Sequence, residues 1–370
     1  MEVSSPRSTF LSLILSCWAV SPSALAGQFP ETGQGLYQIG CAKCHGNDGR
    51  GVDLSTVGFD IPLPDFSDCS FASREQDADW LAVAHQGGPV RGFSSSMPAF
   101  GEAFSIEQIQ RITDFIRSFC TDPVWPRGEL NLPRALVTEK AYPEDEAVWT
   151  TAVTTEGEGA VINEIVYERR FGARNQIELK LPLGVQQTIS GGDWNGGIGD
   201  LAVGVKRALF HGLEEGSIVS VGAEAVLPTG DEDRGFGKGT VVFEPFVAFG
   251  QILPAEGFLH AQAGLEVPAG ESDTAEQEAF WRLVVGRTFT PQPWGRTWSP
   301  MLEVLATMEL EEGAVDWDLL PQIQVSLNKR QHILANIGVR VPATNAATRD
   351  TTLLFYILWD WFDGGLSDGW

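Results

Sequence analysis

Positive charge is scarce in this chain: 25 Lys and Arg stand against 49 Asp and Glu in 370 residues, a net charge of −24. A nucleic-acid partner requires a basic surface to displace counterions from phosphates, so no nucleic-acid partner is expected. Long apolar runs are missing as well. Beyond the N-terminal segment there is no uninterrupted stretch of about 18 apolar residues, so no α-helical membrane span is expected, although strands escape that test. Familiar catalytic signatures are absent: the chain has no G-x-S-x-G, no H-E-x-x-H and no P-loop. Cysteine (5), methionine (4) and histidine (5) are few enough to be accounted for one by one. Hydrophobic content is ample at 43 %, with 20 % charged residues, which excludes disorder over most of the length.

Residues 1–26 read as an export signal. Arg7 is a weak basic start, Phe10 to Val20 an apolar core, and Ala24-Leu25-Ala26 an A-x-A cleavage site. The mature chain is then expected to start near Gly27, and Cys17 to leave with the signal. Cys41, Cys44, Cys69 and Cys120 would reach an oxidising compartment.

The strongest motif is Cys41-Ala42-Lys43-Cys44-His45, the C-x-x-C-H pattern of c-type haem attachment. Two thiols at that spacing each form a thioether to one porphyrin vinyl group, and the histidine behind them is held under the iron. A thioredoxin-like pair has no need of the histidine. A zinc site needs a second ligand pair, which Cys69 and Cys120 do not form. The expected cofactor is one covalent haem c, on Cys41 and Cys44, with His45 as an axial ligand. From about residue 30 to 120 the chain resembles class I monohaem cytochrome c domains, on C-A-K-C-H-G and the later M-P-A-F.

That resemblance implies that Met97, in Ser96-Met97-Pro98-Ala99-Phe100, is the second axial ligand. His85 is the competing ligand. Iron filled on both sides passes electrons and does not bind substrate, so electron transfer is expected ahead of enzyme activity. Haem-based oxidoreductase chemistry would need an open iron position. Arg91 is a candidate partner for a haem propionate, and Trp80 a candidate to pack on the macrocycle. Ser105 with Gln108 fits a capping box that opens a helix carrying Ile106, Ile109, Ile112, Phe115, Ile116 and Phe119 at helical spacing. The resemblance implies that this helix packs against the N-terminal one. Cys69 and Cys120 are expected to form a disulfide, with two buried thiols as the alternative.

Past Cys120 the composition changes. Pro123, Pro126, Pro133 and Pro143 mark an extended linker, its charged part from Arg134 to Glu146 lacking a clear period. From about Trp149 the period is two. Ile177, Leu179, Leu181, Leu183 and Val185 alternate with Glu178, Lys180, Pro182 and Gly184, and similar runs recur to Val341. Glycine-rich turns are expected at Gly191 to Gly199 and Gly230 to Gly239. The expected domains are 27–121 (cytochrome c, all-α), 122–148 (linker) and 149–370. The last is an antiparallel β-barrel of roughly 10–12 strands of the outer-membrane type. A soluble sandwich shares the alternation. The near-continuous meander, the pairing-rich polar face and the closing aromatics Trp359, Trp361 and Phe362 favour the barrel. Gly197 to Lys206 resembles outer-membrane channels of the aromatic-degradation transporter type. Eight residues follow Phe362 and do not read as strand.

The expected function is single-electron transfer by a haem domain lying in the periplasm and anchored by a barrel in the outer membrane. Its partners would be a periplasmic redox protein, as donor or acceptor, and outer-membrane lipid. The alternatives are a porin-class transporter with the cytochrome as plug or sensor, and a soluble periplasmic carrier with a β-rich docking domain.

Overall fold

The computed structural model describes residues 30–370 apart from 155, 188, 271, 273, 274 and 312. The export signal expected at 1–26, with Cys17, lies outside the described residues.

The N-terminal part is helical. α1 (Gly33–Gly40) starts where the Thr32 hydroxyl accepts the Gly35 amide, and α2 (Ala42–His45) follows after one residue. Then come α3 (Cys69–Ala72), α4 (Asp77–Gln86) and α5 (Ile106–Arg117). Ser105 and Gln108 form both halves of the capping box that opens α5. The 3.6-residue period puts Ile109 and Ile112 on one side of α5, where they bury against Leu36 and Tyr37 of α1 and Phe104. Each such side chain withdrawn from water contributes roughly 1.5–3 kcal/mol.

The remainder is β-structure: β1 (Glu146–Thr154), β2 (Ala160–Phe171), β3 (Asn175–Gln187), β4 (Trp194–Ile198), β5 (Leu201–Gly212), β6 (Ser217–Leu227), β7 (Val242–Leu253), β8 (Gly257–Pro268), β9 (Glu278–Arg287), β10 (Trp298–Glu309), β11 (Val315–Ser326), β12 (Ile333–Pro342) and β13 (Thr352–Asp360). Every pairing is antiparallel between neighbours, and β1 pairs with both β2 and β13, so the sheet closes on itself. β4 and β5 lie end to end along β3, Ile198 facing Leu183 and Ala202 facing Lys180. The thirteen segments therefore occupy twelve strand positions. This corrects the turn expected at Gly191 to Gly199. Pairing with the outer half of β3 draws residues 194–198 into the wall despite their glycines.

Burial is inverted relative to a soluble sandwich. Glu168 and Glu303 are fully buried and His260 is 2 % exposed, while Ile177, Leu179, Val205 and Ile357 face outward at 40–55 % exposure. A closed sheet with apolar residues outside and polar ones inside is the arrangement of a barrel in lipid. The soluble-sandwich alternative is set aside on this geometry.

The segment read as a linker does not run over a surface. Residues 130–145 enter the barrel, and Leu130, Leu132, Ala135, Ala141 and Tyr142 are buried against inward-facing wall residues. β1 begins at Glu146, inside the span assigned to the linker. The residues after Phe362 form no strand. They fold across the turn between β11 and β12, where the Gly369 carbonyl accepts the Lys329 amide at 2.6 Å and His332 Nε2 donates to the Gly365 carbonyl at 3.1 Å.

Candidate haem site and the filled lumen

The C-x-x-C-H segment lies at the joint between α1 and α2. The Cys41 carbonyl accepts the amides of Cys44 (3.1 Å) and His45 (2.9 Å), so both thiols and the imidazole share one tight turn. Gly46 leaves that turn at φ +74°, a backbone state in which a side chain would be strained. The Tyr37 hydroxyl donates to the Gly46 carbonyl at 2.8 Å and fixes the exit. Cys41 and Cys44 are free thiols. Burial pushes the Cys41 thiol up to about 12, with Cys44 adding to the effect. Burial also pulls His45 down to about 4, so the imidazole is neutral at pH 7, the form that binds a metal. Its Nδ1 is buried with no hydrogen-bond partner. Two free thiols on one turn beside a neutral, half-buried imidazole whose Nδ1 has no partner fit a covalent haem.

The other sequence candidates fall in different places. Met97 lies half-buried in the loop between α4 and α5, its carbonyl accepting the Gly88 amide at 2.9 Å. His85 lies tilted against Trp294 of the barrel, ring centroids 5.5 Å apart, and its Nδ1 accepts from Gln86. Trp80 does not meet His45 directly. Phe66 stands between them, 5.1 Å from His45 and 5.3 Å from Trp80, and the Arg117 guanidinium covers Trp80 at 3.7 Å. Arg91 does not project as a free propionate partner. It is 6 % exposed, and it donates to Asp79 (2.6 Å) and to the Trp294 carbonyl (2.9 Å) on the barrel. Cys69 and Cys120 are joined, S–S 2.05 Å, tying the start of α3 to the end of α5.

Sequence reading missed the lumen filling. The inserted segment has no sheet of its own, so its backbone groups bond to wall side chains. The Leu136 amide donates to Gln322 (3.0 Å), the Glu139 amide to Gln262 (3.0 Å), and the Glu144 amide to Gln176 (2.6 Å). Tyr356 donates to the Arg134 carbonyl (2.8 Å) and His260 to the Pro133 carbonyl (2.9 Å). Charges are matched in the same way. Arg134 pairs with Glu146 and Glu168, Lys206 with Glu139, and Lys180 with Glu178. Glu139, Glu168 and Glu178 come close enough to hold a cation, yet each already faces one of these basic groups. The available signal was the charged, aperiodic run from Arg134 to Glu146 together with the polar inner faces of the strands.

The helical part docks on one rim of the barrel. Phe71 of α3 approaches Phe362 (6.5 Å), Arg74 covers the same ring (4.1 Å) and pairs with Asp145. A cavity of about 420 Å³ remains between α4, the inserted segment and the barrel rim, lined by Glu75, Asp79, Arg134, Asp360 and Asp363 among others.

Comparison with known proteins agrees with this division. A family model for "Cytochrome C oxidase, cbb3-type, subunit III" matches residues 28–116, and one for "Putative MetA-pathway of phenol degradation" matches residues 146–356. No curated protein matches the chain. Among solved structures, the COG4313 outer membrane channel from Pseudomonas putida F1 is 11 % identical with a TM-score of 0.43, over 62 % of this chain and 98 % of that one. The KdgM porin in complex with disordered oligogalacturonate is 8 % identical with a TM-score of 0.40, over 58 % and 98 %. Likeness this distant carries no weight beside the barrel's own strand pairing. The second family model spans more than half of the sequence, so the chain belongs to the "Putative MetA-pathway of phenol degradation" family, with a cytochrome c domain fused ahead of the matched region.

Proposed function

We propose that this protein passes single electrons through one c-type haem held beside an outer-membrane barrel whose lumen is filled. The observation that carries the reading is the turn at residues 41–45, where two free thiols and a half-buried neutral imidazole converge. Cys41 and Cys44 hold the haem covalently, and His45 and Met97 are its axial ligands. Bound there, the haem supplies a one-electron ferric–ferrous couple, which a thioether ligand biases toward the ferrous state. The chain's own part is to keep His45 neutral, to exclude water with Phe66 and Tyr37, and to fix the domain on the barrel. The domain faces the periplasm, where a redox protein gives or takes the electron. The barrel is the anchor, in contact with outer-membrane lipid. Filling of the lumen by residues 130–145 favours this role over that of an open porin.

The porin-class reading keeps one observation of its own. The lumen segment is held by side-chain bonds and not by strand pairing, so it can leave without unzipping the wall.

Membrane fractionation tests the first reading, with a haem stain and a heat-modifiability gel on the same fractions. Haem-stained protein in the outer membrane that shifts on boiling is the expected result. Haem-stained protein in the soluble periplasm, without a shift, would overturn the anchored carrier.

A further inference from the structure

We infer that the barrel positions the iron's methionine: Arg330, on the turn between β11 and β12, and the tail Asp363–Trp370 hold the loop that carries Met97. The inference rests on Met97 being the axial ligand proposed above.

Three observations carry it. The loop is closed on itself through Gly88, whose carbonyl accepts the Phe93 amide (2.9 Å) and whose amide donates to the Met97 carbonyl (2.9 Å). A shift at residues 91–93 is therefore passed to Met97 through Gly88. The outer side of the same loop is gripped by the barrel. Arg330 donates to the carbonyls of Arg91 (3.4 Å) and Gly92 (3.1 Å), and its guanidinium covers the Phe93 ring at 4.2 Å. From the opposite side Arg330 donates to the Asp363 carbonyl (3.1 Å) and faces the Asp368 carboxylate (3.5 Å). One side chain thus joins tail, rim and loop.

The third observation is steric. Gly92 is left-handed at φ +70°, and a Cβ on it would come within 2.4 Å of the Gly369 backbone. The tail is itself fixed on the rim by Lys329 and Asn328, whose groups donate to the carbonyls of Gly369 (2.6 Å) and Asp368 (3.0 Å). It cannot yield without breaking those bonds. This gives the residues after the final strand a role: they form a seat against which the methionine loop is pressed.

Arg330 and Gly92 are positioning residues, so their test is spectroscopic. The full-length haem protein is purified in detergent. The methionine–iron charge-transfer band of the ferric form is recorded, and the reduction potential is measured by equilibrium titration. Wild type shows the band. Arg330→Ala and Gly92→Ala are expected to lose a large part of it and to shift the potential downward, because a displaced thioether no longer favours ferrous iron. Arg349→Gln, at the far rim, should match wild type in both. Gly92→Ala leaves the barrel intact and stands in should Arg330→Ala fail to assemble. If wild type shows the band and both variants keep its intensity and potential, the inference is overturned while the ligand reading stands. If wild type lacks the band, the ligand reading fails, and the inference with it.

Discussion

Met97 and His85 make opposite predictions at the scale of single residues. Met97→Ala opens an iron position, so the spectrum should turn high-spin and five-coordinate and the potential should drop. His85 is held by Trp294 and Gln86, so His85→Ala should leave the spectrum as it was. The reverse outcome would transfer the ligand role to His85. A second residue-scale prediction concerns Glu75, at the docking face. Burial first, then Asp79 and Asp360, pushes its carboxyl from the ordinary 4.5 up to about 7. A raised folded-state value means that the docked form binds more protons between those two values. The contribution is fully present below about 4.5, is lost as pH rises through about 7, and is level above that. Thermal unfolding of the full chain should therefore fall in midpoint across that window. Glu75→Gln, which mimics the protonated side chain, should flatten the slope; an unchanged slope would assign it to other groups.

At the scale of elements, the helical domain is small and its loop from Gly46 to Asp68 has little regular structure. The Cys69–Cys120 bond closes a separation of 51 residues that begins where that loop ends and runs from α3 past α5. In the chain-entropy picture such a crosslink stabilises by about 2–4 kcal/mol. It also anchors the stretch bearing Phe66 and Phe71, which links His45 to the barrel face at Phe362. The double replacement Cys69→Ser with Cys120→Ser is expected to lower the domain's unfolding midpoint by several degrees and to raise its protease sensitivity at unchanged haem content. Equal protease half-lives would show that α1 and α5 suffice. The helix α5 needs no such support to form, because its cap and its apolar stripe agree.

For the whole molecule, the central fact is that covalent continuity runs from the helical domain through the lumen into the first strand. The chain leaves α5, passes residues 130–145 inside the barrel and only then becomes β1. Domain and barrel wall are thereby joined by a segment that also occupies the lumen. Arg134 pairs with buried Glu146 and Glu168, and Lys140 shares Glu146. Removing Arg134 leaves Glu168 without its ion-pair partner, a loss of roughly 3–5 kcal/mol for a broken buried pair. Arg134→Ala should loosen the inserted segment and raise single-channel conductance in planar bilayers above that of the wild type. Conductance indistinguishable from wild type would show that the segment does not govern the opening.

Local covalent pattern determined much of this from the sequence alone. The spacing of Cys41, Cys44 and His45 puts two thiols and an imidazole on one tight turn, because the three are neighbours in sequence. The capping box of α5 is similarly local, and the period of two marks the strands because their sides face different media. Alternation could not say which side is inside: apolar residues face a core in a sandwich and lipid in a barrel, and closure between β1 and β13 decides between them. Nor could it place Arg134–Glu146, whose partners come from strands far along the chain. The fates of Arg91, held by Asp79 and Trp294, and of the tail after Phe362 were likewise set by contacts distant in sequence. Residue type fixes what a side chain can do; only the closed tertiary structure fixes which partner it meets.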